Sequence, residues 1–197
     1  MKGIFEKSLH RAGYAIKRVL PRPSVLFAKR KFGNKELIVV EIGTFEADNA
    51  LSMLKTLNIK KIYLIDPYTK YESYKNDPAY YQVFKAEKIA EKKLNKYKDK
   101  IVWIKKFSNE AINDIPLADF IYIDGNHDYE FAKKDMENYI KKLFPDGVMA
   151  GHDIENINLE YGVTRAFVEF CSEKKFKPHI HYPDWWIVNG ETISKNP

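Results

Sequence analysis

The chain has 197 residues, of which 45% are apolar and 30% charged, and a formal net charge of +6. At roughly 150 residues per domain this length favours a single core, and the balance of apolar and charged residues excludes a wholly disordered or fibrous chain. The lone cysteine, Cys171, excludes an intrachain disulfide framework, and no apolar run reaches the ~20 residues that cross a bilayer, so the expected setting is the reducing cytoplasm.

From Met1 to Leu20, Ile4, Phe5, Leu9, Tyr14, Ile16, Val19 and Leu20 alternate with Lys2, Lys7, Arg11, Lys17 and Arg18. This pattern predicts an amphipathic basic helix, packed on the domain or on a partner subunit, or lying peripherally on the anionic inner face of a membrane. Residues 1–33 are read as this helix and a linker, and 34–197 as the folded domain.

β-rich runs then recur at Leu37 to Glu41, Lys61 to Ile65, Ile101 to Lys105, Phe120 to Asp124 and Val148 to Gly151. Helical periodicity fills Asn49 to Leu57, Tyr80 to Tyr97 and Tyr129 to Leu143, the last stopping at the turn Pro145-Asp146-Gly147. A final helix is expected over Val163 to Lys174. Pro178 to Tyr182 and Trp185 to Val188 read as two closing strands around a Pro183-Asp184 turn. This alternation predicts a parallel sheet. The lysines of Lys85 to Lys106 alternate with Glu87, Glu91 and Asp99 as on a solvated helix face, and no aromatic-interleaved or zinc-ligand motif accompanies them. Nucleic acid is therefore not an expected partner.

In open α/β sheets ligands bind beyond the carboxyl ends of the strands. Four strand ends here are polar: Glu41-Ile42-Gly43-Thr44, Asp66-Pro67-Tyr68, Asp124-Gly125-Asn126-His127 and Gly151-His152-Asp153. A strand ending in Val-Val-Glu-Ile-Gly, with Asp66 closing the next, suits an adenosine cofactor whose ribose hydroxyls that carboxylate accepts. A dinucleotide pyrophosphate needs glycine where Phe45 stands, which disfavours NAD. S-adenosylmethionine carries no phosphate, and Glu41 with the loop amides of Gly43 and Thr44 suits its amino-acid end. Simpler roles remain open, a surface or capping carboxylate for Glu41 and a turn former for Asp66.

These segments resemble class I S-adenosylmethionine-dependent methyltransferases, and within them the small-domain family that includes macrolide-sugar and other natural-product O-methyltransferases. Val40-Glu41-Ile42-Gly43-Thr44-Phe45-Glu46-Ala47 is similar to the first cofactor motif, Ile65-Asp66-Pro67-Tyr68 to the second, and Asp119 to Tyr129 to the fourth-strand signature. Pro145 to Asp153 and Gly162 to Ala166 extend the likeness. The resemblance implies an α/β, Rossmann-like single domain with a seven-stranded, mostly parallel sheet and helices on both faces. It also implies a homo-oligomer. Two positions depart from the pattern: Ala47 stands for the usual glycine, and Phe107 for an acidic residue before Ser108. Phe107 is expected either to stack on adenine or to sit in the core, with Ser108 bonding an adenine nitrogen.

Methyl transfer from a sulfonium is an in-line displacement, so a hydroxyl acceptor must be aligned and its proton taken up. In metal-dependent relatives a carboxylate after the fourth strand and an acidic pair after the fifth hold a divalent ion. The matching positions are Asp124, His152 and Asp153, with His127 matching the general base. A divalent ion lowers the pKa of a bound hydroxyl, and an imidazole titrating near neutrality can receive its proton. His152 in place of a carboxylate favours Mn²⁺, Fe²⁺ or Zn²⁺, whereas Asp124 and Asp153 with waters would admit Mg²⁺. The metal-free alternative makes the two aspartates caps and lets His152 bond a strand-end carbonyl. The acceptor is expected to be a sugar or other polyhydroxylated small molecule. Tyr68, Tyr129 and Trp186 are expected to meet it, beneath a lid carrying Tyr71, Tyr74, Tyr80 and Tyr81 and beside Ile154 to Tyr161, although the tyrosines could equally cover the edge of the core. Neighbouring strand residues face opposite sides, so Trp185 is read as core and Trp186 as pocket wall. A metal-independent enzyme and a non-catalytic cofactor- or nucleic-acid-binding domain are the competing readings.

Overall fold

The structure, a computed structural model, describes residues 20–70, 82–154 and 162–193. The expected N-terminal basic helix, the tyrosines at 71, 74, 80 and 81 and most of the segment from Ile154 to Tyr161 lie outside them. Among the described residues no helix is long and apolar enough to cross a membrane.

The strands are β1 (Leu37–Ile42), β2 (Ile59–Ile65), β3 (Ile101–Ile104), β4 (Ala118–Ile123), β5 (Leu143–Gly151), β6 (His179–His181) and β7 (Asp184–Val188). They form one seven-stranded sheet in the order β3-β2-β1-β4-β5-β7-β6. β1 to β5 run parallel, and β7 is antiparallel to both β5 and β6. The strand order reverses between β1 and β4, where their carboxyl ends open a crevice.

Both sheet faces are buried because side chains alternate along each strand. Val39, Phe120 and Tyr122 pack on one face with helices α1 (Pro23–Phe32), α2 (Asp48–Thr56) and α3 (Val83–Leu94), through Val25, Ala28, Met53 and Leu94. Val40, Ile121 and Ile123 pack on the other with α4 (Ser108–Ala111), α5 (Tyr129–Tyr139) and α6 (Val163–Lys174), through Ala111, Met136, Phe167 and Phe170.

Three differences from the sequence expectation bear on the site and the core. Residues 23–32, read as linker, are a helix with Pro23 at its start and Gly33, at φ 58°, just past its end. That is the helix asymmetry of proline and glycine, and Val25 and Ala28 are fully buried in the core. Second, Pro145-Asp146-Gly147 does not end a helix but interrupts β5, whose register with β4 shifts between Ala118 and Phe120. Asp146, at φ 62°, donates its N–H to the Asn189 carbonyl, and Asn189 N–H bonds the Gly147 carbonyl, so pairing closes around the bulge. Third, Asp184 belongs to β7 rather than to a surface turn, and it is completely buried.

Candidate active site

A cavity of about 420 Å³ opens at the carboxyl ends of β1, β2 and β4. Its floor depends on glycine at Gly43, whose φ is +81° and where a Cβ would stand 1.9 Å from the carbonyl oxygen of Asp124. The loops after β1 and β4 therefore touch backbone to backbone, with Asp124 N–H on the Ile42 carbonyl and Gly43 N–H on the Ile65 carbonyl. Any side chain at 43 would force them apart.

Glu41 lines this cavity and is 1% exposed. Asn49 donates to its Oε1 at 3.0 Å, while its Oε2 is buried with no hydrogen-bond partner among the described residues. Burial raises its pKa to about 8, with Asn49 acting in the opposite direction. A buried carboxylate with one orphan oxygen is the environment an ammonium would complete. Thr44 Oγ1, which also lines the cavity, is likewise buried with no hydrogen-bond partner among the described residues.

Asp66, expected to receive ribose hydroxyls, lines the cavity but also ties two loops together. Its Oδ2 accepts the Phe45 N–H and its Oδ1 the Tyr68 N–H, both at 2.8 Å. Burial raises its pKa, and the N–H donors of Phe45, Tyr68 and Thr44 counter that rise. Each oxygen retains acceptor capacity. Pro67, Phe107 and Ser108 also line the cavity, Phe107 being 37% exposed rather than core. The Ser108 hydroxyl, expected on adenine, donates instead to Asp135 Oδ1 at 2.6 Å. Asp135 went unremarked in the sequence, although it lies on the buried stripe Ala132-Asp135-Met136-Tyr139 of α5. Burial raises its pKa to about 6 despite the Ser108 bond.

At the β4 and β5 ends, one ligand atom each from Asp124, His152 and Asp153 lies within 4.8 Å of the others. His152 Nδ1 meets Asp153 Oδ1 at 3.1 Å, and His127 Nε2 stands 3.1 Å from Asp153 Oδ2 and 3.6 Å from Asp124 Oδ1. Burial works against both charges of the first pair. Asp153 nevertheless overcomes that effect and raises the His152 pKa, and the two histidines hold the Asp153 carboxyl below its usual value. Asp153 adopts φ 63°, strained backbone for a residue other than glycine. One imidazole and two carboxylates suit Mn²⁺, Fe²⁺ or Zn²⁺. His127 and Asp124 also line the cavity, so the cluster and the cavity are continuous.

The three residues expected to meet the acceptor make other contacts in the structure. Tyr68 is 5% exposed, and its hydroxyl donates to the Phe45 carbonyl at 3.1 Å, bracing the cofactor loop from behind. Tyr129 turns toward α6, with its hydroxyl on Glu169 and Arg165 stacked 4.2 Å from its ring centroid. Trp186 packs in the core beneath α1, against Phe27 and parallel to His179 at 5.6 Å. Its neighbour Trp185 approaches the cluster instead, donating Nε1–H to the His152 carbonyl at 3.1 Å. Its ring covers Gly151, where a Cβ would stand 2.3 Å away.

A residue that sequence reasoning missed is Arg22. It precedes α1, lines the cavity, and reaches Asp124 Oδ2 at 3.4 Å and Asp184 Oδ1 at 3.9 Å. The signal was faint: one arginine before Pro23 in a segment without periodicity.

Several solved structures share this architecture. A caffeoyl-CoA O-methyltransferase candidate from Staphylococcus aureus superposes with a TM-score of 0.65 at 13% identity, covering 95% of this chain and 91% of that one. A precorrin-6y C5,15-methyltransferase from Geobacter metallireducens gives 0.60 at 15% identity over 91% and 94% of the two chains. A TDP-rhamnose 3′-O-methyltransferase of calicheamicin biosynthesis gives 0.58 at 12% identity over 85% and 78%. At such identities the likeness is one of fold. With the crevice at the strand-order reversal and its orphan carboxylate, the architecture is that of the class I S-adenosylmethionine-dependent methyltransferases. A family model described as a methyltransferase domain matches residues 40–154, and the chain belongs to that family. A curated relative, the uncharacterised protein y4gI of Sinorhizobium fredii, is 33% identical over 82 residues, which are 41% of this chain and only 9% of the relative.

Proposed function

We propose that the protein transfers a methyl group from S-adenosylmethionine to a hydroxyl of a sugar or other polyhydroxylated small molecule, with a divalent ion at Asp124, His152 and Asp153 and His127 as general base. The observation that carries this reading is the continuity of the two halves of the site: the metal-competent cluster borders the cavity that Glu41, Gly43 and Asp66 line.

Bound in the crevice, the cofactor supplies the electrophilic methyl. Its fit rests on the glycine approach at Gly43 and on the orphan Oε2 of Glu41. A divalent ion supplies Lewis acidity that makes a hydroxyl easier to deprotonate. The chain's own residues do the rest. Asp124 and Asp153 provide negative charge at the mouth of the crevice, and His127, which lies 3.1 Å from Asp153, takes the acceptor proton in this reading. Asp153 then stabilises the resulting imidazolium. The TDP-rhamnose methyltransferase among the structural neighbours supports a sugar acceptor by analogy of fold alone.

A metal-independent version has one observation in its favour. The two histidines already satisfy Asp153, so an Asp153–His127 pair can act as base unaided.

The test is methyl transfer from labelled S-adenosylmethionine to a panel of free and nucleotide-linked sugars, with Mn²⁺, Mg²⁺ or chelator. Activity that chelator abolishes, Mn²⁺ restores and His127→Ala reduces about 100-fold or more supports the full reading. Activity unchanged in chelator moves it to the metal-independent version. Cofactor binding without transfer to any hydroxyl would remove the O-methylation reading.

A further inference from the structure

An α-amino acid head group presents an ammonium and a carboxylate side by side, and a buried site must meet both. The orphan Oε2 of Glu41 answers the ammonium. Nothing in the loop after β1 supplies a cation for the carboxylate, since Gly43, Thr44 and Phe45 are uncharged. Of the two basic side chains, Arg22 and Lys70, among the described residues that line the cavity, it is Arg22, from the segment before α1, whose charge acts on Glu41.

Arg22 is held in place from three sides. Its guanidinium lies 5.7 Å from the centroid of the Tyr122 ring. The Tyr122 hydroxyl donates to Asp184 Oδ1 at 3.0 Å, and Asp184 Oδ2 accepts the Ser24 N–H at 3.0 Å and the Ser24 hydroxyl at 2.5 Å. Asp184, Tyr122 and Ser24 are all fully buried. The backbone carrying Arg22 is thus anchored to β4 and β7, while its side chain keeps 27% exposure. Of its five N–H donors, the contacts among the described residues engage one in a hydrogen bond, a long one of 3.4 Å to Asp124 Oδ2. Arg22 lines the same cavity as Glu41, and a planar guanidinium matches a carboxylate in bidentate fashion.

We propose that Arg22 binds the carboxylate of the cofactor's methionine moiety, opposite Glu41 on its ammonium, so that the two residues form a zwitterion receptor. The inference rests on the cofactor reading given above. It has a consequence for the neighbouring cluster: drawing Arg22 toward the cofactor carboxylate loosens its hold on Asp124, so cofactor binding frees that carboxylate for a divalent ion or the acceptor.

The experiment compares two ligands by calorimetry on the full chain. S-adenosylhomocysteine keeps the amino-acid head group, and 5′-methylthioadenosine lacks it. Arg22→Gln is expected to weaken S-adenosylhomocysteine about 10- to 100-fold, the range of a charge-assisted bond, while changing 5′-methylthioadenosine by no more than about twofold. Arg22→Lys, which keeps the charge without the fork, falls between. Equal weakening of both ligands would mean that Arg22 only supports the fold, and unchanged S-adenosylhomocysteine affinity would mean that it touches nothing; either result overturns the proposal. Folded wild-type protein that binds neither ligand overturns the cofactor reading itself, an outcome distinct from the other two.

Discussion

The backbone N–H of Ser24 bonds the side chain of Asp184 at 3.0 Å, across 160 positions of the chain. This contact joins the start of the first described helix to the start of the last strand beneath the cofactor crevice. Asp184→Ala would leave the Ser24 N–H, the Ser24 hydroxyl and the Tyr122 hydroxyl without an acceptor in a fully buried place. The expected cost is about 3 kcal/mol, which for a domain of this size lowers the melting temperature by roughly 6–12 °C. Thermal unfolding followed by circular dichroism measures it. A loss under about 1 kcal/mol would mean that these donors find other partners.

Asp153 combines two burdens, a place in the candidate metal cluster and a left-handed backbone. Asp153→Gly and Asp153→Ala both remove the carboxylate and should both abolish high-affinity Mn²⁺ binding. Only the glycine variant relieves the backbone, by about 1 kcal/mol. Urea unfolding of the two variants should therefore rank glycine above alanine. The reverse order would show that the backbone at 153 carries no strain.

Glu41 ties cofactor binding to proton release. With its pKa raised to about 8 by burial, the free protein holds Glu41 protonated at pH 6.5. An ammonium placed against Oε2 favours the ionised form, so binding should expel a proton at that pH. Calorimetry of S-adenosylhomocysteine binding in two buffers of different ionisation enthalpy reads the release directly. Wild type should release a fraction of a proton approaching one, and Glu41→Gln none. Equal release from both proteins would remove Glu41 from the ammonium site.

Asp135 predicts a pH dependence of stability. Its native pKa is raised to about 6 from an ordinary 3.8, so between these values the folded state holds a proton that the unfolded state has lost. Stability from this group is greatest below the unfolded value and falls as pH rises through about 6. Asp135→Asn cannot ionise, so its urea midpoint should fall less than that of wild type between pH 4.5 and 8. A parallel fall in both proteins would place the titration elsewhere.

Much of the architecture could be read from local patterns. The strand runs, the polar residues just beyond them and the helix over Val163–Lys174 follow from periodicity and turn chemistry, which involve neighbours in sequence. The same logic put Glu41, Asp66, Asp124 and His127 at strand ends, and strand ends are where the cavity opens. Pro145-Asp146-Gly147 was a true local irregularity, but whether it ended a helix or bulged a strand depended on Asn189 bonding around it.

The two tryptophans mark the limit. Alternation correctly set Trp185 and Trp186 on opposite faces, yet both faces are buried, so neither had to be a pocket wall. Local order along the chain settles which residues share a strand or a helical stripe, because those periods are built into the backbone. The roles of Arg22, Asp135 and Asp184 belong to the tertiary structure: each acts through partners far away in sequence, as Arg22 does with Asp124 across 102 positions. No local pattern encodes such contacts. They arise when the sheet order sets β4 beside β1 and β5, and when β7 returns antiparallel to close against the first helix.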